Sequence, residues 1–219
     1  MDQPTQRNSR RKEARPGEIL DAALAIFGEK GYAAASIEDI AKRAGVTKGT
    51  PYLYFKNKED LFKALIIASI SPTVDGLTEY LKEAQSLPVA LQLQGTLHFW
   101  KTNVLDTSRS IILKLMMAEA SNFPEVARFY QSEVIEKITD QLAALITLGI
   151  ERGEFRPINV ESITHALLAP MIYAVLQKHC FQCHQHPAPE DWLPDSVQVL
   201  IRGLLIQPTI NTNLPPQHC

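Results

Sequence analysis

The sequence predicts an all-α protein in which a small N-terminal helical unit precedes a larger one. Three observations carry that expectation. Apolar residues recur three and four apart from Ile19 to Leu204, and no stretch alternates as a half-buried strand does. Ser36 and Asn57 each stand three residues before an aspartate, Asp39 and Asp60, a pattern that marks capped helix starts. A chain of 219 residues, 45% hydrophobic and 21% charged, also has enough apolar material for a sizeable core and room for two units.

Residues 1–15 are polar, with Arg7, Arg10, Arg11, Lys12 and Arg15, and read as a disordered basic arm. Such an arm is either a solvated tail or a contact to phosphate or the minor groove. From Gly17 to Lys30 a stripe of Ile19, Ala22, Ala23, Ile26 and Phe27 predicts the first helix, ended by Gly31. Ser36 then caps a short helix whose Ile37, Ile40 and Ala41 face inward, with Lys42 and Arg43 at its C-terminal end. Gly45 stops it, Val46 plugs the angle, and Thr47 is the expected cap of a second helix exposing Lys48, Thr50, Tyr52 and Tyr54. A cation, a hydroxyl and two phenols without an acid suit an anion-lined major groove, and residues 36–55 read as a helix-turn-helix. Pro51 breaks the local rule, because as the fourth helical position it lacks the first useful N–H.

At these residues the sequence resembles the TetR/AcrR family of transcriptional regulators. The matching segments are Ala-Leu-Ala-Ile-Phe-Gly-Glu-Lys-Gly-Tyr (23–32), Ser-Ile-Glu-Asp-Ile-Ala (36–41), Ala-Gly-Val-Thr-Lys-Gly-Thr (44–50) and Tyr-Leu-Tyr-Phe-Lys-Asn-Lys-Glu-Asp-Leu-Phe (52–62). Softer matches lie at 118–125 and 152–156. The resemblance implies a DNA-binding domain over 16–71 and an effector-binding and dimerisation domain over 72–206, while the Pro- and Asn-rich composition of 207–219 reads as a loose tail. It implies a ligand-responsive repressor that leaves a palindromic double-stranded operator when a small molecule binds. The expected DNA contacts are Ser36, Arg43, Thr47, Lys48, Gly49, Thr50, Tyr52, Tyr54, Lys56 and Lys58, with at least one of the last two on phosphate and the alternative a solvated charge at a helix start.

Beyond Pro72, helical spacing predicts helices over 89–105, 110–120, 124–152, 160–178 and 196–205, with a Pro-rich break at 187–194. Residues 166–176 are apolar more than halfway around their helix, which calls for burial on two sides, one of them a second copy in a homodimer. A face with His98, Trp100, Met116, Met117 and Tyr130 is the candidate lining for a largely apolar effector, the alternative being plain core. No cofactor is expected.

The segment His179-Cys-Phe-Gln-Cys-His-Gln-His186 stands apart. Cys180-x-x-Cys183-His184 has the form of a c-type haem attachment site, which needs export, and no signal peptide is visible. A zinc or soft-metal site, or an oxidant-sensing cysteine pair, is the alternative function, against a plain interhelical loop. Three cysteines without an export signal point to a reducing cytoplasm, and the longest uncharged apolar run, eleven residues at 166–176, is too short to cross a membrane. Charge divides mildly: eleven Lys/Arg against nine Asp/Glu in residues 1–60, then eleven against fifteen in the remainder. Neither a phosphate-binding Gly-rich loop, a Gly-x-Ser-x-Gly elbow nor a convergent carboxylate pair occurs, so an enzyme is not expected.

Overall fold

Helix α1 (Thr5–Ala34) is the first element of the computed structural model, which describes residues 5–181 and 187–206. It begins earlier than the sequence suggested, so residues read as a disordered arm continue the helix. The reason lies in composition: Gln, Arg, Lys, Glu and Ala between Thr5 and Arg15 disfavour a core yet sustain a helix, and Pro16 is accommodated inside it. The side chains of Arg7, Arg10, Arg11 and Lys12 lie outside the described set. Ile19, Ala22, Ala23, Ile26 and Phe27 are all buried, as their spacing required. Gly31 breaks the helix at φ 78°, a conformation that an L side chain resists.

Helix α2 (Ile37–Arg43) forms as expected. Ser36 Oγ accepts from Asp39 N at 3.1 Å and the Asp39 carboxylate accepts from Ser36 N at 3.4 Å, a complete capping box. Gly45 turns the chain at φ 66°. The second helix of the motif does not form as an α-helix. Thr50 N bonds Thr47 O at 2.9 Å, Leu53 N bonds Thr50 O at 3.1 Å, and only Pro51–Leu53 is helical, with 3₁₀ geometry. Pro51 has no N–H to give to the Thr47 carbonyl, which Thr50 N takes instead, and a bond to the fourth residue returns only where Phe55 N reaches Pro51 O at 2.9 Å.

Helix α3 (Lys58–Glu83) is capped by Asn57, whose side chain accepts from Asp60 N at 2.8 Å. It runs on through Pro72, so the expected boundary at 71/72 falls inside a continuous helix. With its following turn it is long and apolar enough to cross a membrane by composition alone. Its Leu61, Phe62, Leu65, Ile66 and Ile70 instead enter a first core with α1 and α2.

The larger unit comprises α4 (Val89–Trp100), α5 (Ser110–Glu119), α6 (Pro124–Tyr130), α7 (Glu136–Glu151), α8 (Val160–His179) and α9 (Pro189–Leu204). Two π-helical turns, Lys101–Leu105 after α4 and Gln131–Ile135 between α6 and α7, interrupt the regular ladder. Helix α9 starts seven residues before the expected Ser196, because Pro189 suits a first helical turn and the Asp191 carboxylate accepts from Ala188 N at 3.0 Å. A second core gathers Leu93, Leu97, Leu145, Leu167, Val175 and Val197. Residues 152–156 tie its ends together. Gly153 turns at φ 68°, Glu154 accepts from Val89 N at 2.6 Å, and Arg156 donates to Gly203 O at 2.7 Å. Ile112, Leu115 and Met116 of α5, with Val126 and Tyr130 of α6, belong to the first core, which therefore spans both units.

Candidate nucleic-acid interface and cavity

The turn after Gly45 carries the exposed groups of the small unit. Tyr52 and Leu53 are 52% and 77% exposed, Tyr54 is exposed, and Gly49 has open space around its α-carbon. Leu53 was not among the expected contacts. In the sequence it reads as one more apolar residue, yet the short 3₁₀ turn rotates it outward beside Tyr52. Both suit a groove wall, the leucine against a thymine methyl and the phenol against phosphate or a base edge. Lys56 and Lys48 are also exposed, and Lys48 pairs with Glu38, whose carboxylate holds the ammonium pKa above its usual value.

Other expected contacts are engaged within the protein. Thr50 is buried, its hydroxyl 2.8 Å from that of Thr47, because Pro51 tightens the turn and folds the residue inward. Thr47 thus holds the turn together instead of capping a helix. Arg43 is engaged by Glu29, one guanidinium nitrogen lying 2.9 and 2.7 Å from the two carboxylate oxygens. Ser36 is exposed, its hydroxyl in the capping box. Lys30, 2.9 Å from Asp39, together with the Ser36 hydroxyl keeps the Asp39 carboxyl below the usual range.

Lys58 is the largest departure. Its ammonium donates to the carbonyls of Tyr32, Ala33 and Ala35 at 2.8, 3.0 and 3.1 Å and sits 4.6 Å from the Tyr32 ring centre. Those carbonyls follow the break at Gly31 and have lost their helical partners. An ammonium has three donors, and all three are used. Burial lowers its pKa, and burial raises that of Tyr32 to about 12, with Glu59 and Glu119 adding to the effect.

The larger unit encloses a cavity of about 310 Å³ between α3, α4, α5, α7 and α8. Its wall is almost wholly apolar, with Leu77, Phe99, Leu113, Ile138, Leu142 and Leu168 among its residues. Both π-helical turns contribute, through Val104 and through Val134 and Ile135. Of the expected lining, Trp100 and Tyr130 are present. His98 is exposed and borders a separate depression of about 110 Å³ with Leu193 and Pro194, since two residues along a helix turn it away from Trp100. Met116 packs in the first core and Met117 faces solvent. Tyr130 is buried, which pushes its phenol pKa up.

At the end of α8, His179 Nε2 lies 2.8 Å from the hydroxyl of the fully buried Ser110. Burial lowers the His179 pKa, with Lys178 and Lys114 adding to it. Cys180 is exposed and free, whereas Cys183 and His184 lie outside the described residues. Among the described residues no group of three or more His, Cys, Asp or Glu is placed to hold a metal ion. The tail over 207–219 is likewise outside them.

Comparison with known proteins bears on both sites. Residues 19–65 match the family model described as bacterial regulatory proteins, tetR family, and residues 92–193 match a tetracyclin repressor-like C-terminal domain. The fatty acid metabolism regulator protein of Bacillus subtilis (strain 168) is 31% identical over 169 residues, which are 76% of this chain and 83% of that protein. The fatty acid degradation regulator FadR from Bacillus halodurans superposes with a TM-score of 0.73 at 25% identity, covering 86% of this chain and 98% of that one. The regulator FadR from Bacillus subtilis, solved in complex with stearoyl-CoA, shares the fold with a TM-score of 0.69 at 22% identity, over 85% and 98% of the two chains.

Proposed function

From the premise that this chain belongs to the tetR family of bacterial regulatory proteins, and is a ligand-responsive DNA-binding transcriptional regulator, we propose that it is a cytoplasmic repressor whose effector is a fatty acyl thioester. As a homodimer it sets two copies of the Lys48–Tyr54 turn in successive major grooves, roughly 34–36 Å apart on a palindromic operator. Tyr52 and Leu53 approach base edges, while Lys48 and Lys56 approach phosphate.

The apolar cavity is the observation that carries the effector assignment. Its volume of about 310 Å³ and its wall of Leu, Ile, Val and aromatic side chains fit one flexible hydrocarbon chain better than a polar metabolite. The likeness to a fatty acid metabolism regulator supports the same choice. Because an effector shifts an equilibrium only by its differential affinity, the acyl-bound form must hold the two turns at a spacing the operator rejects.

The test is a fluorescence-anisotropy titration of a labelled duplex bearing the inverted repeat nearest the protein's own gene. Dodecanoyl-CoA and stearoyl-CoA are added, with free CoA as control. Release by the acyl thioesters and none by CoA is the expected result. A complex that survives saturating acyl-CoA overturns the assignment.

A further inference from the structure

The wall of the large cavity holds one fixed charge with no counter-charge beside it. Arg109, just before α5, is half-buried and lines the cavity with Val104, Leu113 and Ile172. Among the described residues that line it, no other is Lys, Arg, Asp or Glu. Gln141, Trp100 and Tyr130 add polarity without charge, and the exposed His165 has its Nδ1 2.8 Å from Glu161 O. Arg109 forms no ion pair among the described residues, and Asp106, the nearest acid in the sequence, is taken by Lys101 at 2.8 Å. The break in the helix before it sets its position. After the π-helical turn Lys101–Leu105, Thr107 N bonds Val104 O at 3.2 Å. The Asn103 carbonyl is left without a backbone donor and accepts from Thr107 Oγ1 at 3.1 Å and from Arg109 Nη1 at 2.9 Å. One guanidinium nitrogen is thus held, while the rest of its fork of donors has no acceptor among the described residues. A half-buried cation in an apolar wall is unfavourable unless an anion completes it.

We propose that Arg109 is the anion-binding residue of this cavity, pairing its guanidinium with an oxyanion carried on an otherwise apolar ligand. This rests on the fatty-chain reading above and deepens it: the ligand is an anionic amphiphile, its hydrocarbon against the apolar wall and its charge at Arg109. A planar fork of N–H donors suits the paired oxygens of a carboxylate or a phosphate, so the oxyanion is either the carboxylate of a free fatty acid or a phosphate of an acyl-CoA. A neutral ligand of the same length fills the same volume and leaves the guanidinium uncompensated, and a cationic one is repelled, because no acid in the wall offsets Arg109. Half of the fork's surroundings are already polar or wet, so the gain lies at the low end for a charge-assisted bond, about tenfold in Kd.

The experiment uses three ligands that share one chain: dodecanoyl-CoA, dodecanoate, and S-dodecanoyl-N-acetylcysteamine, a neutral thioester without phosphate. Each is titrated by calorimetry into the full-length protein and into Arg109→Gln and Arg109→Lys, with melting temperatures confirming that each variant is folded. Arg109→Gln should weaken at least one anionic ligand about tenfold and leave the neutral thioester unchanged, while Arg109→Lys, which keeps the charge but not the fork, should lose less. A loss confined to dodecanoate assigns the carboxylate to Arg109, and a loss confined to dodecanoyl-CoA assigns a phosphate; either supports the anion site. If Arg109→Gln leaves all three affinities unchanged, the role of Arg109 is overturned while the fatty-chain cavity stands. If it weakens the neutral thioester as much as the anions, the residue acts through packing and the proposal is again overturned. If none of the three binds the wild type, the effector reading fails and the Arg109 role with it.

Discussion

Replacing Lys58 by Met removes the ammonium and keeps most of the aliphatic stem. In the fold the ammonium holds three carbonyls, those of Tyr32, Ala33 and Ala35, that no helix satisfies. A hydrogen bond to a charged group contributes about 1.5–3 kcal/mol when well buried. Lys58 is only half-buried, and water can replace part of what it gives, so the three bonds together are put at about 2 kcal/mol. For a chain of this length each kcal/mol corresponds to about 2–4 °C in melting temperature, so Lys58→Met should melt about 4–8 °C lower. Affinity for operator and non-operator DNA should fall together, because the seat of α2 against α1 and α3 is loosened.

The salt dependence separates this from the phosphate contact that the sequence suggested. Each phosphate neutralised contributes about 0.9 to the slope of log K against log salt. Lys58→Met should leave that slope unchanged, whereas Lys56→Ala, at an exposed position, should lower it by about one with no change in melting temperature. A Lys58→Met protein that melts with the wild type and loses one unit of slope would refute the argument, because the ammonium would then be bound to DNA and not to the backbone.

Two further expectations follow from burial. Ile172 and Val199 are exposed apolar residues on α8 and α9, 40% and 70% accessible, so Val199→Glu should give folded monomers by sedimentation that no longer hold the operator; an intact dimer would place the interface elsewhere. The Tyr32 pKa, raised from 10 to about 12, means that the folded state keeps a proton the unfolded state gives up. Its contribution is complete below pH 10 and lost as pH climbs from 10 to 12, so Tyr32→Phe should flatten part of the alkaline decline in denaturant-measured stability, and an unchanged decline would exclude Tyr32 as a source.

What was legible in the sequence was what is decided locally. The capping box at Ser36 and Asp39, the left-handed Gly45 and the stripe from Ile19 to Phe27 are each set within one or two turns. Pro51 was visible too, but its effect depends on which carbonyl its missing N–H deprives, and that turned Thr50 inward and Leu53 outward. The cavity was less legible. Its wall is assembled from Ile70 to Ile172, and periodicity marks a residue as inward without saying whether it meets a neighbour or a void. Trp100 and Tyr130 were therefore found beside His98, Met116 and Met117, which do not line it. Ala174 shows the same limit: it lies on the face expected at the dimer contact but is fully buried in its own core, and Leu168 lines the cavity.

The position of the cavity gives its occupancy a route to the DNA-binding face. Tyr130 and Val134 line it and also belong to the first core, against the helices that carry the exposed turn. Helix α5 does the same with two faces. Leu113 reaches the cavity, while Ile111 presses on the backbone at Gly28 so closely that an added Cβ would stand 3.1 Å from it. At the end of α5, Glu119 accepts from Ala33 N at 3.3 Å, and Phe123 packs edge-on to Tyr32 with ring centres 4.6 Å apart. Tyr32 is also the ring beneath the Lys58 ammonium. A ligand that displaces Tyr130, Val134 or Leu113 therefore disturbs the core that α1 shares, because packed interiors transmit such a shift instead of absorbing it. The coupling it can exert is bounded by how differently it fits the two arrangements, which makes the shape of this wall, more than the tightness of binding, the quantity that sets the response.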